Sequence, residues 1–343
     1  MKILLIKLGA LGDVLRTTPL LEGLRKKYAS CEITWLVDGR HRSVLERNPW
    51  INRLESLGEG NGWKSARYDL AINLDKEPEA LEAMNGASAA CKMGFGLGSD
   101  EKLCAANPES DYAYRLGIDD ELKFRQNQKS YQQISFEQVG LSFQKEEYRF
   151  SIDGRSVLRA QQALAERNFD AKQKNNPVIG INTGSGARFA GKRLPADSYR
   201  RLAERLHDTL GATVFLLGGE EERERNAWIE KNARGARVVD TGAHPIDVFA
   251  AIVRNCDLVI TGDTTALHVA IAMKVPVLAY FASTCAQEIE LYGRGRKIVS
   301  AIPCAPCYKR VCPIDEQCMK DMSVDEFVRN AKEMLGASSV RVA

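Results

Sequence analysis

The chain has 343 residues, 44% of them apolar and 27% charged, which is enough length and apolar content for two soluble domains with cores of their own. Its 48 lysines and arginines stand against 45 aspartates and glutamates, and the formal charge of +3 is too small for binding nucleic acid by bulk electrostatics. No apolar run approaches the ~20 residues of a membrane span.

The N-terminal MKILLIKLGALGD is apolar enough to suggest a leader. However, Lys7 interrupts the apolar segment and Gly12-Asp13 stands where a cleavage site belongs, so residues 2–8 are expected to form a first strand and the chain to be cytoplasmic. In that compartment the nine cysteines are expected as thiols rather than disulfides. A glycine turn, Gly9-Ala10-Leu11-Gly12-Asp13, follows, its two glycines permitting positive φ and a close ligand approach. The spacing is not that of a dinucleotide fingerprint. A helix with Leu15, Leu20, Leu21 and Leu24 comes next, which Pro19 either kinks or begins. Strands are expected at 32–37 and 69–74, giving the βα rhythm of a parallel sheet. Residues 84–130 are rich in glycine, asparagine and charge and read as a binding loop or lid. A helix resumes at 131–139.

A polar stretch, 172–176, precedes a new strand, and the domain boundary is placed there: 1–174, then 175–322, then a C-terminal helix and tail at 323–343. Strands are expected at 178–181, 213–217, 237–239, 258–260 and 275–280, with helices at 196–210 and 245–255 between them. The stretch LVITGDTTALHVAIAMKVPVLAYF, 258–281, is a strand, a hydroxyl-rich turn, a helix and a strand. Such a unit sets a helix N-terminus, with its unpaired N–H groups, at the carboxyl edge of the sheet, where an anion binds. Thr264 and Thr265 add hydroxyls there, and Asp263 either caps the helix or accepts from a sugar hydroxyl.

Four more groups of residues carry chemistry. Asp13, beyond strand one, is placed as a general base or an N-cap. Thr183-Gly184-Ser185-Gly186-Ala187-Arg188 with Lys192 suits a diphosphate, or is a solvated loop. Glu220-Glu221-Glu222 after two glycines suits ribose hydroxyls, or is an acidic first turn. Cys304, Cys307, Cys312 and Cys318 can wrap one Zn or Fe ion, or are reduced thiols in a packed loop. His268 follows the threonine turn and can face the anion, while the basic residues Arg294, Arg296, Lys297, Lys309 and Arg310 surround the cysteines as a solvated face or a headgroup contact.

Taken together, KLGALGDVLRTTPLL, GKRLP at 191–195, LLGGEEE at 216–222 and the run from Thr261 resemble glycosyltransferase family 9, the ADP-heptose:lipopolysaccharide heptosyltransferases, over nearly the whole chain. PCYKRVCP is similar to the heptosyltransferase II branch. The resemblance implies a GT-B fold, two Rossmann-like domains facing a central cleft, with acceptor domain first and nucleotide-sugar domain second. It implies inverting transfer of heptose from ADP-heptose to a saccharide acceptor such as the lipopolysaccharide inner core, with no divalent metal at the donor phosphates. It assigns Asp13 as base and Lys192 to the diphosphate with Thr183 and Ser185. Glu222 goes to the ribose, Asp263 to heptose hydroxyls, and Thr264, Thr265 and His268 to the donor. Gly12 and Arg16 are left to the acceptor. A membrane-bound acceptor implies peripheral association with the inner membrane. Two departures touch the donor pocket: Leu194 stands where the family carries an aromatic residue, and Thr264-Thr265-Ala266 replaces the usual Ser-Gly or Thr-Gly. The alternatives are another nucleotide sugar or acceptor within the same family, a GT-B-type sugar epimerase, and a metal-dependent regulatory protein centred on the cysteines.

Overall fold

The computed structural model describes residues 1–60, 62–170, 176–186 and 191–339. The chain forms two units, Met1–Ser151 with Gln287–Glu290, and Ile152–Ala286 with the residues from Leu291 onward.

The first unit runs β1 (Lys2–Ile6), α1 (Leu11–Thr17), α2 (Pro19–Lys27), β2 (Glu32–Val37), β3 (Arg53–Ser56), α3 (Gly62–Ser65), β4 (Arg67–Asn73), α4 (Pro78–Gly86), β5 (Ser88–Leu97), β6 (Leu103–Ala105), α5 (Asp111–Arg115) and α6 (Tyr131–Gln138). Its sheet has the order β3-β2-β1-β4-β5-β6, parallel except for the antiparallel β5–β6 edge. Ile3, Leu4, Leu5 and Ile6 are all fully buried, because a central parallel strand is covered on both faces and must be apolar on both. Pro19 starts α2, where its missing N–H costs nothing.

The second unit runs α7 (Gly154–Ala165), β7 (Val178–Asn182), α8 (Ala196–Leu210), β8 (Thr213–Leu217), α9 (Arg223–Asn232), β9 (Val238–Asp240), α10 (Ile246–Val253), β10 (Leu258–Gly262), α11 (Thr265–Ala272), β11 (Val277–Phe281), β12 (Gly295–Val299), α12 (Gln317–Lys320) and α13 (Val324–Ser339). The sheet order is β12-β11-β10-β7-β8-β9, all parallel. One core cluster joins Ile179, Leu202, Leu206, Leu216, Ile260, Leu278 and Phe327. In both sheets the first strand is central and the chain changes sides once, between β1 and β4 and between β7 and β10. Loops at the carboxyl ends of those strand pairs diverge and leave a crevice for a ligand.

Four expectations are corrected. The stretch 84–130 is not a loop: it holds β5, β6 and α5. In β5, Met93, Phe95 and Leu97 alternate with glycines, a strand period masked by small residues. The boundary falls at 151/152 rather than 174/175, because α7 packs on α10 and Ser156 Oγ donates to Asp247 Oδ2 at 2.6 Å. The C-terminal helix is not an appendage, since α13 packs on α8 and buries Phe327, Val328 and Ala331 in the second core. Gly12 lies in the first turn of α1, and neither it nor Gly9 has positive φ. Residues 172–175 of the polar stretch lie outside the described residues.

Candidate functional site

In the second unit the crevice lies between the ends of β7 and β10. Asn182, last residue of β7, donates its amide to Gly184 O at 2.8 Å and to Thr264 Oγ1 at 3.2 Å, tying the two diverging loops together. Thr261 Oγ1 shares a hydrogen bond with Thr264 Oγ1 at 3.1 Å. Thr264 is the N-cap of α11, extended and without a side-chain cap bond, so its hydroxyl belongs to this polar network. The first turn of α11 presents the unpaired N–H groups that every helix start carries.

Lys192 and Asp263 meet here. Lys192 Nζ donates to Asp263 O at 3.1 Å and pairs with Asp263 Oδ2 at 3.3 Å, and His268 Nε2 lies 3.9 Å from Asp263 Oδ1. Their side chains are 14% and 19% exposed, partly desolvated yet open to a ligand. The segment that carries Lys192 is anchored from below. Leu194 is buried, its N–H donates to Tyr199 Oη at 3.0 Å, and Tyr199 Oη shares a 2.7 Å hydrogen bond with Tyr280 Oη on β11. Burial raises the pKa of both phenols, so the pair stays protonated.

Glu222 separates from its two acidic neighbours. Glu220 and Glu221 are exposed, whereas Glu222 is buried and accepts from Gly219 N–H at 2.9 Å. Its Oε1 lies 2.5 Å from the place a Cβ on Gly184 would take, so any side chain there would displace the carboxyl, which sits against the β7 turn. Ser185 is half-buried on that turn. Thr183 is not available to a diphosphate: it is fully buried and spends its hydroxyl on Asn226 Oδ1 at 2.6 Å. Ala187 and Arg188 lie outside the described residues.

In the first unit the crevice lies between the ends of β1 and β4. Asp13 occupies the first turn of α1 and is not its N-cap, which is Ala10. Its Oδ1 pairs with Arg16 at 2.8 Å. The Arg16 guanidinium lies 3.9 Å from the ring centre of Tyr131, whose hydroxyl shares a 2.8 Å hydrogen bond with Thr17. Gly12 is buried in the same turn. Burial lowers the His41 pKa below the ordinary imidazole value against the raising effect of Asp38, and Asp13 also acts on it.

The four cysteines share one segment but differ in burial. Cys318 is buried at the start of α12 beside the core, while Cys304 is exposed and Cys307 and Cys312 are half-buried. Burial, and then Cys312, Cys304 and Cys307, push the Cys318 thiol up to about 11, so the four lie in one neighbourhood. Yet among the described residues no three His, Cys, Asp or Glu side chains are placed to hold a metal ion.

Sequence reasoning missed Asn182, Tyr199, Tyr280, Tyr131 and Asp75. All serve through contacts distant in sequence. Asn182 alone had a local cue, an amide at the end of an apolar strand.

The family model described as Glycosyltransferase family 9 (heptosyltransferase) matches residues 64–317. The chain is 26% identical over 314 residues to lipooligosaccharide heptosyltransferase 2 of Haemophilus influenzae, covering 84% of this chain and 85% of the relative. The fold is similar to that of a family 9 glycosyl transferase from Veillonella parvula, with a TM-score of 0.74 at 19% identity, covering 97% of each chain. It is also similar to the ADP-heptose lps heptosyltransferase II of E. coli, with a TM-score of 0.70 at 18% identity, covering 99% of this chain and 100% of the other. The two Rossmann-like units are those of the GT-B fold.

Proposed function

Because the chain belongs to glycosyltransferase family 9, we propose that it is an inverting transferase that moves a heptose from ADP-heptose to a saccharide acceptor of the lipopolysaccharide inner core. The observation that carries this reading is the meeting of Lys192, Asp263, His268 and Thr264 at the head of α11. The lysine and the helix N-terminus face a diphosphate, and the carboxylate faces sugar hydroxyls, which is the division of labour an ADP-sugar needs. Glu222, held beneath the Gly184 turn, is the group for the ribose hydroxyls, with Ser185 and Thr265 beside the phosphates.

In this reading Asp13 takes the proton of the acceptor hydroxyl. The freed oxygen attacks the anomeric carbon from the face opposite the diphosphate, the new C–O bond forms as the bond to ADP breaks, and the configuration inverts. Lys192 and the α11 N–H groups stabilise the charge gathering on the departing ADP, so the transfer needs no divalent metal. Arg16, stacked on Tyr131, orients Asp13 and contacts the acceptor beside Gly12. No helix among the described residues is long and apolar enough to cross a membrane; a cytoplasmic protein touching the inner membrane peripherally fits a lipid-linked acceptor. A Zn or Fe ion on the four thiols would shape the 303–319 loop, and no step of the transfer passes through it.

Leu194 favours a second reading of the donor. It is buried against the Tyr199–Tyr280 pair and lends no ring to the pocket, so a family 9 transferase with another nucleotide sugar is the alternative. Calorimetric titration with ADP, UDP and GDP separates the two. Selective ADP binding, weakened by Lys192→Ala, supports the ADP-sugar, and preference for UDP or GDP removes the heptose assignment while leaving the family.

A further inference from the structure

A buried ion pair lies behind the turn that leads to Asp13. Lys7 follows β1 and Asp75 follows β4, so the two meet where the strand order reverses. Lys7 Nζ is 2.5 Å from Asp75 Oδ1, and the side chains are only 5% and 7% exposed. Asp75 Oδ2 accepts the N–H groups of Leu8 at 2.5 Å and Gly9 at 2.9 Å. Asp75 is itself fixed, since its N–H donates to Asn73 Oδ1 at 3.0 Å and its carbonyl accepts from Asn73 Nδ2 at 3.0 Å. The carboxylate thus clamps the backbone from which α1 starts.

The pair also faces Asp13. A Cβ placed on Gly9 would lie 3.2 Å from Asp13 Cβ and 3.2 Å from Lys7 Nζ, so a glycine alone separates the ammonium from the Asp13 side chain. Burial by itself lowers the Lys7 pKa, but Tyr131, Asp75 and Asp13 together outweigh burial and raise it, so the lysine is a permanent cation. A buried ion pair seldom repays its desolvation, and an apolar pair of the same volume is commonly no less stable, so stability alone does not account for one kept at this position.

We propose that Lys7 and Asp75 are positioning residues for Asp13: Asp75 fixes the Leu8–Gly9 backbone ahead of α1, and Lys7, held by Asp75, sets the charge environment of the Asp13 carboxylate. The catalytic consequence rests on Asp13 being the base, whereas the effect on its ionisation does not. The groups facing Asp13 are Lys7 beyond β1, Arg16 on α1, His41 beyond β2 and Tyr131 near it on α6, with Asp75 and Lys76 beyond β4 acting through Lys7.

The test is a carboxyl-carbon NMR titration of Asp13 in the full chain, its resonance assigned with Asp13→Asn and circular dichroism melting used to check the fold. Lys7→Met leaves the Asp75 carboxylate uncompensated and is expected to raise the Asp13 midpoint by about one pH unit. Asp75→Asn leaves the ammonium uncompensated and is expected to lower it by a similar amount. Should a buried unpaired charge prevent either variant from folding, Gly9→Ala retains both charges and crowds Lys7 Nζ and Asp13 Cβ apart; it is expected to raise the midpoint by about half a unit. A purely structural pair moves the melting temperature and leaves these midpoints in place, and folded variants with unmoved midpoints overturn the inference. Turnover measured alongside keeps the two readings apart: full activity in Asp13→Asn removes the base assignment without touching the NMR result.

Discussion

At the scale of single residues, the crevice of the second unit divides into side chains at its opening and side chains that hold them. The places of Lys192, Asp263 and Glu222 were legible in the sequence because each follows a glycine-bearing turn beyond an apolar strand, whereas their roles toward a donor belong to the proposed function. Thr183 obeyed the same pattern and was misread, since whether a hydroxyl faces the ligand or the core depends on Asn226, 43 positions away. If Lys192 contacts the diphosphate, Lys192→Ala should weaken ADP binding by about 10- to 100-fold, the range for losing one charge-assisted hydrogen bond. Thr183→Val should leave ADP affinity nearly unchanged and instead lower stability by about 1–3 kcal/mol, because Asn226 loses a buried partner. Isothermal calorimetry and thermal unfolding on the same two variants read both effects.

At the scale of elements, helices and central strands were the most legible. Apolar runs bounded by turn residues placed β2, β8 and α8 at their observed limits. The failures came where composition and packing disagree. β5 is a strand made largely of small residues, buried only at Gly94, Phe95 and Gly96, and β12, an edge strand with the charged residues Arg296 and Lys297, offers no apolar run at all. For the four cysteines, spacing along the chain says which thiols can meet, and α12 sets the burial of Cys318. The segment that carries Lys192 is likewise an element held from a distance, by two tyrosines 81 positions apart. Tyr280→Phe removes the partner of Tyr199 Oη without changing core volume. It should cost about 1 kcal/mol of stability and raise the Kd for ADP a few-fold, while Tyr199→Phe, which also strands the Leu194 N–H, should cost more. Equal melting temperatures and equal ADP affinity in both variants would show that the pair does not hold the segment.

At the scale of the whole molecule, the two-unit organisation followed from the βα rhythm, but its boundary did not. A polar stretch marks where a chain can be exposed, whereas a domain ends where packing ends, and α7 packs on α10 before that stretch begins. The same reasoning makes α13 part of the second core. A chain stopped after residue 322 should therefore be unable to fold its second unit, since it loses Phe327, Val328 and Ala331 from the buried cluster, on the order of 5 kcal/mol of apolar burial. A fragment starting at residue 152 should retain ADP binding and one starting at residue 175 should lose stability with Ala160 and Leu164 gone. Circular dichroism melts and ADP titration of the three fragments check this.

The most direct test of the molecule's function is transfer itself. The purified chain is incubated with ADP-heptose and a heptose-deficient lipooligosaccharide core in the presence of a metal chelator, and the products are identified by mass spectrometry and NMR. One added heptose of inverted anomeric configuration, with equimolar ADP, and a 10²- to 10⁴-fold loss in Asp13→Asn that spares ADP affinity is the predicted result. Transfer from a different nucleotide sugar but not from ADP-heptose, or unchanged turnover in Asp13→Asn, would contradict it.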